Sequence, residues 1–202
     1  MSAAASARHS WSRLLFAALM LALTAIFFSL GVWQWQRLAE KEALIATVEG
    51  RMTRPPGAFP TPDQWPSLDP AFYDYRPLTL TGRYVPQDTV LVFTSLADAR
   101  GQHRGAGYWV MTPFALDSGG SIYVNRGFIP QASGSAFASG GTIEPEPQTI
   151  TGIGRVAEAT SSFTPGADAA NRIEWVRDPE RLVRFASAAP KPFAPIYVDL
   201  PA

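Results

Sequence analysis

In its 202 residues the chain carries 17 Lys+Arg against 17 Asp+Glu, a formal net charge of zero. With no basic stripe, that balance argues against nucleic-acid binding by counterion release. The absence of cysteine excludes disulfides, thiolate nucleophiles, zinc knuckles and sulfur-bound copper, and leaves the redox compartment open.

Residues 1–13 read as a short cytoplasmic tail, and the stretch from Leu14 to Gln36 that follows contains no charged residue. At about 1.5 Å per residue, its apolar part to Val32 reaches roughly the ~30 Å of a bilayer core. Trp33 and Trp35 then fall at headgroup level with Arg37 beyond them. A cleaved leader would have a shorter apolar region and a small-x-small exit; here Ser29 and Gly31 lie against large aromatics. The helical signal continues through Leu38–Ala46 to the breakers Gly50 and Pro55-Pro56. One continuous helix from about Arg13 to Glu49, a transmembrane anchor with a helical extension, is therefore expected. Basic residues on the two flanks tie (Arg8 and Arg13 against Arg37 and Lys41), and the reading leans to an inside N-terminus. Trp33, Arg37 and Lys41 recur at helical spacing, so they share a side that suits interfacial anchoring or a protein contact.

About 150 residues remain, enough for one domain with a single core. Prolines and glycines concentrate in Arg54–Pro70 and Gln131–Pro147, which read as surface connections; residues 50–74 are expected to be a Pro-rich linker and residues 75–202 a β-rich periplasmic domain. Leu78–Thr81 alternates as a half-buried strand. Pro86-Gln87-Asp88 is a turn, Thr89–Phe93 a more buried strand, and Ala97–Ala106 a longer loop. Tyr108–Thr112 and Ser121–Asn125 flank Asp117-Ser118-Gly119-Gly120, a hairpin signal. Gln148–Val156 and Arg172–Val176 follow as strands. Pro179–Ala186 is a short helix with Asp178 as N-cap and Pro179 at its first position. Ile196–Asp199 is a last strand, stopping at Pro201. Strands dominate without βαβ spacing, so the class is mainly β (α+β): an anchor helix, then an antiparallel sandwich- or barrel-like domain with minor helix.

Reactive side chains are few. His9 lies in the tail, and His103 sits in a Gly-rich loop between Arg100 and Arg104. A haem iron could take His103 axially; a solvated loop histidine fits its polar neighbours better. No G-x-S-x-G elbow accompanies it. Met1, Met20, Met52 and Met111 are scattered and make no metal site. Glu144 and Glu146 alternate with prolines in a loop as solvated carboxylates, while Glu174, Asp178 and Asp199 fall near strand ends. No catalytic set and no metal site emerges. Arg126 shares a strand face with Ile122 and Val124; if buried it needs a carboxylate or several carbonyls, with Asp178 and Asp199 the candidate partners, and its loss should unfold the domain. Tyr108, Trp109 and Phe128 could line an apolar-ligand space, though strand aromatics usually pack structurally.

At these residues the chain resembles the Surfeit locus protein one family, the Shy-type cytochrome oxidase assembly factors. Gly31-Val32-Trp33-Gln34 with Arg37 and Lys41 is similar to that family's exit from its first span. Tyr75-Arg76-Pro77 and Gly82-x-Tyr84 resemble its first strand. Gly107-Tyr108-x-Val110-x-Thr112-Pro113-Phe114 with Ile122-x-Val124-Asn125-Arg126-Gly127-Phe128-Ile129-Pro130 resembles its central hairpin. Gly152-x-x-Arg155, Phe163-x-Pro165, Asn171-x-x-x-Trp175-x-Arg177-Asp178 and Pro195-Ile196-Tyr197-Val198-Asp199 keep its order. The resemblance implies an inner-membrane, non-enzymatic factor that assists haem a delivery to the catalytic subunit of an aa-type oxidase. The implied partners are that subunit, other assembly factors and the bilayer. It also implies haem a as a transient ligand. The family's second span and its haem histidine lie past the region matching Asp199, where this chain stops, so no cofactor-binding residue is assigned. The alternative reading is an anchored periplasmic β-domain that binds an apolar ligand and is unrelated to the oxidase; an anchored hydrolase ranks last for want of a nucleophile–base pair.

Overall fold

The computed structural model describes residues 3–97, 104–138, 140–143 and 146–201, with the side chains of the first helix described for Trp11 and from Arg13 onward. His103, most of the loop expected over Ala97–Ala106, and Glu144 lie outside the described residues, as does the side chain of His9. The chain divides into two units, Met1–Glu49 and Gly50–Ala202.

Helix α1 (Ala3–Met52) fulfils the expectation of one unbroken rod and runs three residues past the expected Glu49. Its Arg13–Met52 portion is long and apolar enough to cross a membrane. Leu15, Phe16, Leu21, Phe27 and Phe28 are all exposed, so the apolar surface runs all round, as in a helix solvated by lipid. The hydroxyls within this run are satisfied locally: Thr24 donates to the Met20 carbonyl and Ser29 to that of Ala25, each at 2.8 Å. Beyond the Trp pair, Arg37 bonds Glu40 at 3.0 Å on an exposed face.

The second unit opens with β1 (Gly57–Ala58), a 3-10 turn over Pro62–Ser67 and α2 (Pro70–Tyr73). The stretch expected to be a linker is part of the domain instead. Strand β1 pairs in parallel with β2 (Pro77–Tyr84). Trp65 is 6% exposed and packs in the main core, its indole N–H held by the Pro60 carbonyl at 2.9 Å. Prolines suit this segment because its backbone contributes few ladder bonds.

After a 3-10 turn at Pro86–Asp88 come β3 (Val90–Leu96), β4 (Gly105–Leu116) and β5 (Ser121–Pro130). A 3-10 turn and α3 (Gly134–Phe137) occupy the start of the second Pro/Gly-rich stretch. Then follow β6 (Gln148–Val156), β7 (Ile173–Glu174), α4 (Pro179–Leu182) and β8 (Phe193–Asp199). The sheet runs β1-β2-β6-β8-β5-β4-β3-β7, and an added β2–β4 pairing closes the middle strands into a barrel. Most ladders are antiparallel, with β1–β2, β3–β7 and β5–β8 parallel.

Strand β4 makes the closure possible by changing partners. Residues 105–111 pair with β3 and residues 114–116 with β2. Pro113 lies at the changeover, where its missing N–H costs no ladder bond, while its carbonyl takes Val85 N–H at 2.9 Å. Gly82 permits the close approach: a Cβ there would lie 2.9 Å from the Ala115 carbonyl carbon and 3.0 Å from Leu116 Cα.

Period-two positions fill the barrel. Leu78, Leu80 and Tyr84, Phe114 and Leu116, Ile122 and Val124, and Ala194, Ile196 and Val198 form one cluster. The opposite face of the wall carries Val90, Val92, Met111, Tyr123 and Tyr197, covered by Leu182 of α4. Asp178 caps α4 by accepting from Glu180 N–H at 3.0 Å, as its sequence position requires.

Candidate functional site

Where β8 ends between β5 and β6, register places Asn125 beside Asp199, and Asp199 beside Ile153. Asn125 Nδ2 donates to Asp199 Oδ1 at 2.8 Å. Its Oδ1 accepts from Gly127 N–H at 3.1 Å, closing an Asx turn. A bulge there sets two residues of β5 against one of β4 and leaves Gly127 at φ 108°, a conformation that favours glycine.

Two arginines converge on Asp199. Arg155 donates through Nη1 to Asp199 Oδ2 at 3.4 Å and through Nε to Asp74 Oδ1 at 3.2 Å. Its guanidinium also lies 4.4 Å from the centroid of the Tyr75 ring. Tyr75 holds φ 62°, which aims its ring at Arg155 at the expense of backbone strain. Arg177 Nη1 stands 3.5 Å from Asp199 Oδ1. Glu158 grips Arg177 from the other side: it accepts Nε at 2.9 Å, the backbone N–H at 2.8 Å, and Nη2. The Arg177 guanidinium sits 5.3 Å from both the Trp109 and Tyr197 rings.

The electrostatics follow from these contacts. Burial alone would lower Arg177, but its bond to Glu158, with Tyr197 and Asp199 nearby, leaves it raised. Burial pushes Glu158 up, and the hydrogen bonds from Arg177 overcome that and hold it low. Tyr197 is pushed well up, chiefly by burial, and its hydroxyl is buried without a hydrogen-bond partner. The result is a charged, partly open surface whose arginines and carboxylates hold one another in fixed positions.

The motif residues divide between this network and the scaffold. Tyr75, Asn125, Arg177 and Asp199 meet here, together with Arg155. Asp178 does not, being committed to α4. Arg126 corrects the sequence expectation. It does lie on the Ile122–Val124 face, 5.5 Å from the Tyr84 ring, but its partners are the carbonyls of Gly140 and Thr142 (3.0 Å for the latter) rather than Asp178 or Asp199. It is half-buried, and burial lowers its pKa against the opposing pull of Tyr84.

Thr112 shares a buried hydroxyl contact with Thr89 at 3.0 Å. At Gly107 a Cβ would press on the Phe128 ring, 2.6 Å from Cε2. Trp175 donates to the Gly166 carbonyl at 3.0 Å and packs 5.1 Å from Phe93. Gly31 faces open space, with nothing within 4 Å of a Cβ, while Trp33, Gln34 and Arg37 lie exposed on α1. Glu174 is fully buried and bonds Arg181 at 2.7 Å; Glu146 is exposed.

Sequence reasoning missed Asp74 and Glu158. Asp74 directly precedes the Tyr75-Arg76-Pro77 motif, which was its one signal. Glu158 has none, because it lies in an irregular stretch and acts through folding alone.

The aromatic space around Tyr108, Trp109 and Phe128 is taken up by packing. Tyr108 lies edge-on to Phe93 at 5.9 Å and Trp109 to Phe128 at 5.8 Å. A cleft of about 550 Å³ beside Tyr108 is lined by Leu91, Gln131, Ser135, Asn171 and Arg172 among others.

The SURF1 family matches residues 21–201. A SURF1-like protein of Monosiga brevicollis is 34% identical over 157 residues, covering 72% of this chain and 57% of that protein. The cytochrome oxidase assembly protein SHY1 of Saccharomyces cerevisiae is 32% identical over 127 residues, 61% of this chain and 30% of its own. Surfeit locus protein 1 of Homo sapiens is 30% identical over 194 residues, 90% of this chain and 60% of its own. The chain thus spans less than two thirds of the length of each of these relatives.

Proposed function

Because this chain belongs to the SURF1 family, we propose that it is a membrane-anchored assembly factor for a haem–copper cytochrome oxidase. The observation that carries the proposal is the extent of the family match. It takes in α1 from Leu21 onward and the whole barrel, so most of the tether and all of the domain fall within it. A yeast relative is named for oxidase assembly. In this reading α1 holds the protein in the inner membrane beside its client, with the β-rich unit on the periplasmic side. The factor acts by binding: the Asp199 network presents charges in fixed positions to the catalytic subunit or to another assembly factor. Haem a is the cargo of the process, and the described residues of the barrel are not assigned to its iron.

Deleting the gene and recording reduced-minus-oxidised spectra of membranes tests the proposal. The aa-type signal and oxidase activity should fall and return on complementation. Unchanged oxidase in the deletion strain refutes it. An alkaline phosphatase fusion after Pro201 should be active if the barrel is periplasmic. An inactive fusion would place it on the other face.

A further inference from the structure

The Asp199 network absorbs Tyr75 but not its neighbour Arg76. The backbone of Arg76 is pinned on both sides: its N–H donates to Tyr73 O at 3.1 Å, and its carbonyl accepts from Gly154 N–H at 2.8 Å. Pro77 holds it extended. Gly154 lets this segment lie flat on β6, since a Cβ there would fall 2.6 Å from the Tyr73 carbonyl oxygen.

From this fixed backbone the guanidinium stacks 3.5 Å from the centroid of the Phe72 ring. Its Nε is buried without an acceptor, and Arg76 enters none of the ion pairs of the described residues. Arg51 and Arg54 are near enough to lower its pKa further, after the effect of burial. Arg51 is itself oriented by the Ala71 and Asp74 carbonyls, at 3.1 Å each. Three like charges that enter no ion pair among the described residues, one with an unsatisfied buried donor, are complementary to an anion. Phe72 is 48% exposed. It borders a cleft of about 290 Å³ lined by Pro60, Gln64, Leu68 and Tyr73 among others. Asp69, on the same rim, is committed to Ala71 N–H at 3.0 Å.

We propose that this patch docks an acidic segment of a partner polypeptide. An Asp or Glu carboxylate takes the fork of Arg76, and a neighbouring apolar side chain enters the cleft beside Phe72. A lipid headgroup or free phosphate would use the charges and leave the exposed ring and cleft without purpose. The partner's identity rests on the assembly reading above.

The test uses the full chain in detergent micelles. It is offered short peptides covering the extramembrane segments of the oxidase subunits, each in native form and with Asp and Glu changed to Asn and Gln. Phosphatidylcholine vesicles with one fifth phosphatidylglycerol, and inorganic phosphate, are offered in parallel. Acidic native peptides should be captured, with capture about tenfold weaker for their amide forms and for Arg76→Gln. Phe72→Ala and Arg54→Gln, both at exposed positions, should weaken capture and guard against a folding artefact in the Arg76 variant. The proposal is overturned if no peptide binds in an Arg76-dependent way, or if vesicles or phosphate are the Arg76-dependent ligand. In cells, deletion that lowers oxidase while Arg76→Gln restores it fully sinks the patch alone. Deletion without effect sinks the assembly reading instead.

Discussion

Asp88→Asn should cost the barrel about 3 kcal/mol, most of it from buried N–H groups left unsatisfied. Asp88 is fully buried, yet its carboxylate is saturated. Oδ1 accepts from Ser187 N–H at 2.9 Å and Ser187 Oγ at 2.8 Å, and Oδ2 from Ala188 and Ala189 N–H at 2.7 Å each. The contact ties the turn before β3 to the segment entering β8. An asparagine can keep one oxygen in place but must turn its NH₂ toward two donors. Ala189 is buried, so its orphaned N–H costs about 1–3 kcal/mol. With the NH₂ on that side and the oxygen kept on Ser187, exposed Ala188 recovers part of its bonding from water, so it and the lost charge assistance add about 1 kcal/mol.

The pH sign is fixed by the same contacts. Burial raises Asp88, but the Ser187, Ala188 and Ala189 bonds outweigh it and hold the group below its ordinary 3.8. Its contribution is therefore complete above the unfolded value and lost as pH falls through the folded one. Urea titrations of the full chain in micelles, followed by tryptophan emission, would measure both effects. A variant within about 0.5 kcal/mol of wild type at neutral pH, or a gap that does not narrow in acid, refutes the reasoning.

Arg126→Ala should lose two hydrogen bonds to carbonyls at a half-exposed site, about 1–3 kcal/mol, and leave a folded domain by near-UV circular dichroism. Gly82→Ala should do more damage, since its Cβ meets strand backbone rather than a mobile side chain; loss of about 3 kcal/mol or outright misfolding is expected, and a stable variant would contradict the closure geometry. In a double-mutant cycle Asp199→Ala and Arg177→Ala should couple by no more than about 1 kcal/mol in stability, because the pair is partly solvated. The same variants should lower the assembled oxidase severalfold in membranes; normal oxidase with either one would remove the network from function. Tyr75→Gly should relieve backbone strain of about 1 kcal/mol and leave the melting temperature near wild type, while oxidase falls for want of the ring over Arg155.

The parts legible in sequence are those carried by local pattern. An uncharged run with aromatic ends specifies α1, period-two alternation specifies the strands, and Asp178-Pro179 specifies the start of α4. What escaped is what distance in sequence conceals. The Pro-rich stretch before Pro70 looked like a spacer because proline removes donors, but Trp65 supplies enough apolar surface to make it core. The face of Arg126 followed from alternation. Which partners it takes did not, because the bulge at Gly127 and the bends at Gly140 and Gly141 bring it backbone carbonyls, the other class of partner burial allows, rather than Asp178 or Asp199. Of the Asp199 network, Tyr75, Asn125, Arg155, Arg177 and Asp199 could be named one by one from the family motifs, and Asp74 and Glu158 could not. Their meeting required the parallel β5–β8 pairing, which no short window encodes.

On the proposed assembly role, the energetics of that network suit binding more than stability. Side-chain exposures of 15–39% across Arg155, Arg177, Asp74, Asp199 and Glu158 place its ion pairs near the surface. Pairs so placed contribute about 0–1 kcal/mol each, and the positive φ of Tyr75 takes back an amount of the same order. The Tyr197 hydroxyl is buried without a partner, a further cost. A barrel already closed by the β2–β4 pairing and filled by alternate strand residues gains little from such an arrangement. Charges held in place at little net gain in stability are what an interface needs, because rigid ion-pairing groups lose less entropy when a partner arrives. On the assembly reading proposed above, the strain at Tyr75 is accounted for on the client side of the equilibrium, where a bound complex, not the free barrel, is the state being stabilised.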